Sequence, residues 1–314
     1  MSGKAWLTMQ VITADNLDQI IRPTAIALGN FDGVHLGHQQ VIGSILGAKQ
    51  CSTVVSFDPH PQEFFQGQIR PQLTPLPEKI QVLQTIGVQQ LVLLSFNREL
   101  AQLTAPEFME KILRHLLQAE TIAVGFNFRF GHQRQGTVAL LQNIWGDRVK
   151  IVAEQCLSDA VRISSSNIRY ALGHGDLALA HRMLGRPYSL IGTVVAGQQL
   201  GRQLGFPTAN LQLPEHKFIP KHGVYSVRVD SLYGQNMLGV MNIGVRPSVE
   251  KDTKLAVEVH LLDFEGDLYG KELRVKLQRF LRPEQKFNSL SELRQQIAQD
   301  CMEARQENYE FSLA

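Results

Sequence analysis

Residues 24–49 read TAIALGNFDGVHLGHQQVIGSILGAK, an apolar run that meets glycines and two histidines before a helical pattern. Ala25, Ile26, Ala27 and Leu28 form a short continuous apolar segment, as expected of a parallel strand buried on both faces. Gly29 ends it. From Leu36 onward Val41, Ile42, Ile45 and Leu46 recur at helical spacing, so the polar cluster lies where a strand's carboxyl end feeds a helix amino terminus. Open α/β sheets bind ligands at such places. Helix N–H groups and the positive helix end favour phosphate, and Gly33 and Gly37 carry no side chain to hold it off the backbone. His35 and His38, across the first turn, can face the same anion.

That geometry suits transfer of a nucleotidyl group, because two imidazoles and backbone amides can stabilise the charge on a pentacoordinate phosphorus without a covalent nucleophile. The run Asn30-Phe31-Asp32-Gly33-Val34-His35-Leu36-Gly37-His38 resembles the H-x-G-H motif of the nucleotidyltransferase superfamily. The competing reading makes both histidines ordinary turn residues.

The rest of the chain narrows the choice. At 314 residues there is room for two domains with cores of their own, and 44% hydrophobic with 19% charged residues describes an ordinary globular protein. A net charge of +2, without a basic block, makes no electrostatic case for nucleic acid or a membrane as partner. Cys51, Cys156 and Cys301 are scattered and lack C-x-x-C spacing, which fits a reducing cytoplasm better than a disulfide framework or a zinc site. Neither a signal-peptide core nor a run of ~20 apolar residues is visible, so a cytoplasmic location is expected.

Strand and helix patterns alternate through the first half: Ser52 to Phe57, Leu91 to Leu94, Thr121 to Gly125 and Val149 to Val152 read as strands, and Gly136 to Trp145 as a helix. Asp58-Pro59-His60-Pro61 follows the first of these, and its prolines restrict His60, which can face the crevice of His35 and His38. Gln66 to Pro77, with three prolines, reads as a flap. After Gly125 come Phe126, Asn127, Phe128, Arg129 and Phe130, able to stack a planar ring, read its polar edge and clamp phosphate, or merely to close the end of the sheet. Ser164, Ser165, Ser166 and Arg169 form either a helix cap or a second phosphate site.

Composition changes near Pro187. Leu190 to Val195, Gly223 to Val229, Leu238 to Ile243, Ala256 to Leu262 and Leu273 to Phe280 are short β-rich runs of an antiparallel barrel or sandwich. Ser289 and Glu292 make a capping box for a terminal helix with Leu290, Leu293 and Ile297 on one face. Gly201, Arg202 and Gly205 allow a backbone wrap around phosphate beside Phe206, while Thr208 and Asn210, two apart on an extended segment, can point together toward Mg²⁺.

The strings GNFDGVHLGH, SFDPHP, GFNFRFG and SSSNIR, followed by GRQLGFPTAN, GVYSVRV, MNIGVRPS, VEVHLLDFEGDLYGKEL and FLRPEQKF, resemble in order the prokaryotic bifunctional riboflavin kinase/FMN adenylyltransferase (FAD synthetase) family. The resemblance implies an α/β nucleotidyltransferase-type, Rossmann-like parallel sheet domain over 1–186. An antiparallel six-stranded β-barrel with a C-terminal helix would follow over 187–314. It implies ATP-dependent phosphorylation of riboflavin to FMN in the second domain and adenylylation of FMN to FAD in the first, with Mg²⁺. By the same resemblance His35 and His38 are catalytic, and Gly29, Phe31, Asp32, Gly33, His60, Asn127, Arg129, Ser164, Ser165, Ser166 and Arg169 bind ATP or FMN. Glu258 serves the ribityl hydroxyl; Gly201, Arg202, Gly205, Phe206, Thr208, Asn210 and Arg282 hold kinase substrates, Thr208 and Asn210 through the metal. Asn127 and Thr137 stand where Asp is frequent in that family. The expected partners are riboflavin, FMN, FAD and ATP, with no nucleic acid and no membrane, in a monomer or weak homo-oligomer. The rivals are a chain with kinase activity alone and a regulatory protein that binds flavin without turnover.

Overall fold

Residues 9–197, 201, 204–246 and 254–312 are described by a computed structural model. Arg202 lies outside the described residues. The chain divides between Ser165 and Ser166 into two compact units, upstream of the change in composition at Pro187.

In the first unit the elements run β1 (Gln10–Ile12), β2 (Thr24–Leu28), α1 (Leu36–Gly43), β3 (Cys51–Asp58), α2 (Pro61–Gln66), α3 (Leu76–Ile86), β4 (Gln90–Ser95), α4 (Arg98–Gln102), α5 (Ala105–Glu107), β5 (Ala119–Gly125), α6 (Val138–Trp145) and β6 (Val149–Val152). Helix α5 continues as a π-helix over Phe108–Leu116, where Leu117 N–H donates to the Ile112 carbonyl. All strand pairs are parallel, in the order β1-β4-β3-β2-β5-β6. Every residue of β2 is buried because the sheet is covered on both faces. Ile26 and Leu28 join Phe108, Leu113 and Leu141 in one core layer, whereas Ala25 and Ala27 join Val41, Ile42 and Leu83 in the other. The chain steps from β2 out to β3 and β4, then crosses back to β5 on the other side of β2. The crevice outside the carboxyl ends of β2 and β5 is therefore the topological switch point.

Two expectations change here. Gly136 is not the start of α6: Thr137 caps that helix, accepting from Leu140 N at 3.3 Å, and Gly136 bridges back to Phe130. A hydroxyl and a carboxylate both serve as N-caps, which gives Thr137 a structural equivalence to Asp at this position. The proline-rich segment 66–77, expected as a flap, is anchored at its far end, where Leu73 is fully buried and Thr74 is 4% exposed.

The second unit holds α7 (Ser165–His174, but for its first residue), α8 (Leu177–Leu184), β7 (Ser189–Val195), β8 (Ala209–Gln212), β9 (Gly223–Ser231), β10 (Gly234–Arg246), β11 (Lys254–Leu261), β12 (Glu272–Arg282) and α9 (Leu290–Ser312). Six antiparallel strands close a barrel in the order β10-β11-β8-β7-β12-β9. Strand β8, only 4 residues long, is the extended segment that carries Asn210. Helix α9 packs on β9 and β10. Ile297 meets the core there, but Leu290 is 59% exposed, so the apolar face of α9 starts one turn later than its spacing suggests.

Candidate active sites

The first site grows from the turn between β2 and α1. His35 is the N-cap of α1: its Nδ1 accepts from His38 N–H at 3.2 Å, and its ring stacks on that of His38 at 3.5 Å between centroids. A Cβ on Gly37 would sit 3.3 Å from the His35 ring, so glycine lets that ring lie over the turn. Phe31 is 2% exposed and sets its edge against His38, 5.3 Å between centroids. Phe31 and Val34 both have positive φ, 50° and 40°, an uncommon conformation for a β-branched residue such as Val34. Gly29 donates its N–H to the Val55 carbonyl and so continues the β2–β3 pairing at the carboxyl end of the strand.

The amide of Gly33 donates to Thr74 Oγ1 at 2.9 Å, while Thr74 N–H donates to Asp32 Oδ1 at 3.2 Å. With His38 N–H committed to His35, the first-turn donors of α1 for a phosphate are those of Leu36 and Gly37. Ser165 Oγ donates to the Asp32 carbonyl at 2.8 Å, placing that hydroxyl at the same turn. Ser164, next to it, is half-buried. Ser166 and Arg169 belong to the second unit, where the Arg169 guanidinium lies 6.0 Å over the Phe218 ring.

His60 caps α2 through its Nδ1, which accepts from Gln62 N–H at 3.1 Å, and burial holds its pKa below the usual histidine range, reinforced by the Arg70 cation. After β5, Phe126 is 47% exposed, and Asn127 and Arg129 are exposed at the switch point. Phe128 and Phe130 instead stack on each other and join the core, closing the end of the sheet. A residue without a sequence signal also meets this turn: Lys79, on α3, donates from Nζ to the Asn30 carbonyl at 2.9 Å.

The second site is set by strand register. Asn210 on β8 pairs with Glu258 on β11, and Glu258 pairs with Asn242 on β10. Residues opposed in register share a face, and all three line one cavity of about 390 Å³. Asn242 belongs to the MNIGVRPS string, and no sequence signal gives it a role. Thr208, two residues before Asn210, lines this cavity and a second one of about 580 Å³ bounded by the Phe264–Tyr269 turn. A Cβ on Gly201 would collide with the Phe206 carbonyl and stand 3.2 Å from Thr208 Oγ1, so the backbone wraps closely there. Gly205 has φ 87°, and Phe206 meets the His260 ring edge-on at 5.5 Å.

Apolar walls of the first cavity come from Phe206, Val224, Val240, Leu293 and Ile297. Arg282 lines it too, but its Nε and Nη2 each donate at 2.8 Å to the carboxylate of Asp300 on α9, a side chain that is 3% exposed. Gln296 Nε2 donates to the same carboxylate at 3.0 Å. Arg282 thus ties α9 to β12. Neutral oxygens of Thr208 and Asn210, with Glu258 adjacent, suit a hard cation that shares phosphate and water ligands.

Comparison with known proteins finds one family model for each half of the chain. Residues 17–167 match the family model of FAD synthetase, and residues 184–308 that of riboflavin kinase. A bifunctional riboflavin kinase/FMN adenylyltransferase of Pseudomonas fluorescens is 42% identical over 298 residues, 92% of this chain and 94% of that protein. The enzyme of the same name from Escherichia coli is 41% identical over 90% of this chain and 91% of its own. The crystal structure of a macrolide-efflux protein from Streptococcus pneumoniae shares the fold with a TM-score of 0.84 at 29% identity, covering 95% of this chain and 99% of that one. Similarity of this depth over both halves places the chain in the family of bifunctional riboflavin kinase/FMN adenylyltransferases.

Proposed function

We propose that the family's two steps, riboflavin to FMN and FMN to FAD, are performed by the Glu258 cavity and the His35–His38 turn respectively. The observation that carries the kinase assignment is the row Asn242, Glu258, Asn210 across three neighbouring strands, with Thr208 at the junction of two cavities. Riboflavin lies in the apolar cavity and ATP in the second, so that the γ-phosphate meets the 5′-hydroxyl near Thr208. Glu258 accepts the hydroxyl proton as the 5′-oxygen of riboflavin bonds to the γ-phosphorus and ADP leaves. Thr208 and Asn210 would hold Mg²⁺, which offsets phosphate charge when bound.

In adenylyl transfer a phosphate oxygen of FMN attacks the α-phosphorus of ATP and pyrophosphate departs. No base is required, because the attacking phosphate is already ionised. His35, His38 and the Leu36 and Gly37 amides stabilise the charge gathered on the transferring group. Asn127 and Arg129 at the end of β5 contact the nucleotide or flavin from the other side of the switch point, and His60 from the end of β3. Among the described residues no helix is long and apolar enough to cross a membrane. We place the enzyme in the cytoplasm as a monomer or weak homo-oligomer, with its functional boundary at 186/187.

Replacing Asn210 with Ala tests the separation of sites. FMN formation from riboflavin should be abolished while adenylylation of supplied FMN persists; loss of both activities in a folded protein would contradict it.

A further inference from the structure

The Asn30–Val34 turn carries two strained residues, Phe31 and Val34, with φ of 50° and 40°. Strain of this kind costs on the order of 1–3 kcal/mol per residue and persists only where surrounding contacts over-determine the backbone. Helix α3 and the segment leading into it supply those contacts. Thr74 grips Gly33 and Asp32, and one turn into the helix Lys79 Nζ reaches the Asn30 carbonyl at 2.9 Å. Ser56 Oγ donates to the same carbonyl at 3.2 Å. A hydroxyl already meets that acceptor, so hydrogen bonding alone does not account for a lysine there.

Burying an ammonium is costly unless charge compensates it. Burial pushes the Lys79 pKa down, while the carboxylates of Asp32, Asp58 and Glu63 oppose that shift. Asp58 ends β3, Glu63 lies on α2 and Asp32 lies in the turn itself, so the cation sits among carboxylates from the segments that follow β2 and β3.

We infer that Lys79 is a positioning residue for adenylyl transfer: from α3 it fixes the Asn30 carbonyl, and with it the His35–His38 turn, while its charge offsets that of the anionic substrates. The inference rests on the assignment of adenylyl transfer to the His35–His38 turn.

The test compares Lys79→Gln, Lys79→Arg and Ser56→Ala in the full chain, with His38→Ala as reference. FAD formation from FMN and Mg-ATP, FMN formation from riboflavin, and a thermal melt are measured for each. Lys79→Gln keeps a hydrogen-bond donor but no charge. It should lower kcat for FAD formation about 10- to 100-fold, the scale of a misplaced catalytic group, with little change in KM for ATP. Lys79→Arg should recover most of that loss, Ser56→Ala should stay within about twofold, and FMN formation should not change in any of them. The inference is overturned if Lys79→Gln retains FAD formation while His38→Ala loses it. It is also overturned if Gln, Arg and Ser56→Ala variants fall alike, or if Lys79→Gln reduces both activities together. Undiminished FAD formation by His38→Ala would instead remove the parent assignment, and Lys79's role with it.

Discussion

The two sites are built in opposite ways. The crevice of the first unit takes its groups from loops at the carboxyl ends of parallel strands, where positive-φ residues occur at Phe31 and Val34 on one side and at Gln133 and Arg134 on the other. The barrel cavity takes its polar row from the strands themselves, where ladder register alone puts Asn210, Glu258 and Asn242 side by side. A loop site needs outside clamps such as Thr74, Ser165 and Lys79 to hold it; a strand site is held by its own backbone pairing. Second-sphere changes should therefore alter the crevice more readily, and the barrel should respond chiefly to loss of the functional groups.

The largest expected effect is on that barrel row. Glu258→Gln keeps the shape and hydrogen-bonding reach of the side chain while removing the proton acceptor, so kcat for FMN formation should drop roughly 10²- to 10⁴-fold. Adenylylation of supplied FMN should be unaffected. Near-normal riboflavin phosphorylation would reduce Glu258 to one polar residue of an alternating strand and erase the contrast between the sites.

A smaller effect concerns the strap across the cavity. Asp300→Ala leaves the Arg282 guanidinium, which is 14% exposed, without its bidentate partner, and should destabilise the barrel unit by about 3 kcal/mol in denaturant titration. The double variant Arg282→Met with Asp300→Leu should be more stable than Asp300→Ala, because no buried charge is left unpaired. If the double change is the worse of the two, the pair is a net source of stability and α9 depends on it.

The smallest effect sharpens the loop side of the comparison. Gln133 is exposed with φ 51°, and glycine adopts that conformation without a Cβ penalty. Gln133→Gly should raise the thermal midpoint of the first unit slightly, by less than about 1 kcal/mol in stability. A lower midpoint would mean that the side chain contributes more than its backbone strain costs.

Much of this architecture was legible because its signals are local. The apolar run Ala25–Leu28, the H-x-G-H spacing and the Ser289 cap of the terminal helix each lie within a few residues, and each appears where sequence put it. What stayed hidden depends on partners distant in sequence. Lys79 meets Asn30 from 49 residues away and reads as one more charge on an amphipathic helix. The Gly33 N–H is taken by Thr74, which lies 41 residues on. Phe128 and Phe130 share a residue type with exposed Phe126, and only the packing of Phe130 on Phe108 and of Phe128 on Phe130 tells them apart. Asn242 stands in an alternating β run, and its meaning comes from the register that sets it opposite Glu258. Short elements also escape pattern: β8 has too few residues to show a period.

The central claim, one chemical step at each site, is tested most directly by His38→Ala in a single time course that follows riboflavin, FMN and FAD with Mg-ATP, alongside a thermal melt. If His38 stabilises the transferring α-phosphoryl group, loss of about 2.7–4 kcal/mol of stabilisation should slow FAD formation roughly 10²- to 10³-fold. FMN should then accumulate at the normal rate, from a protein that melts as the unaltered chain does. Undiminished FAD production, or an equal fall in both products from a folded protein, would contradict the account.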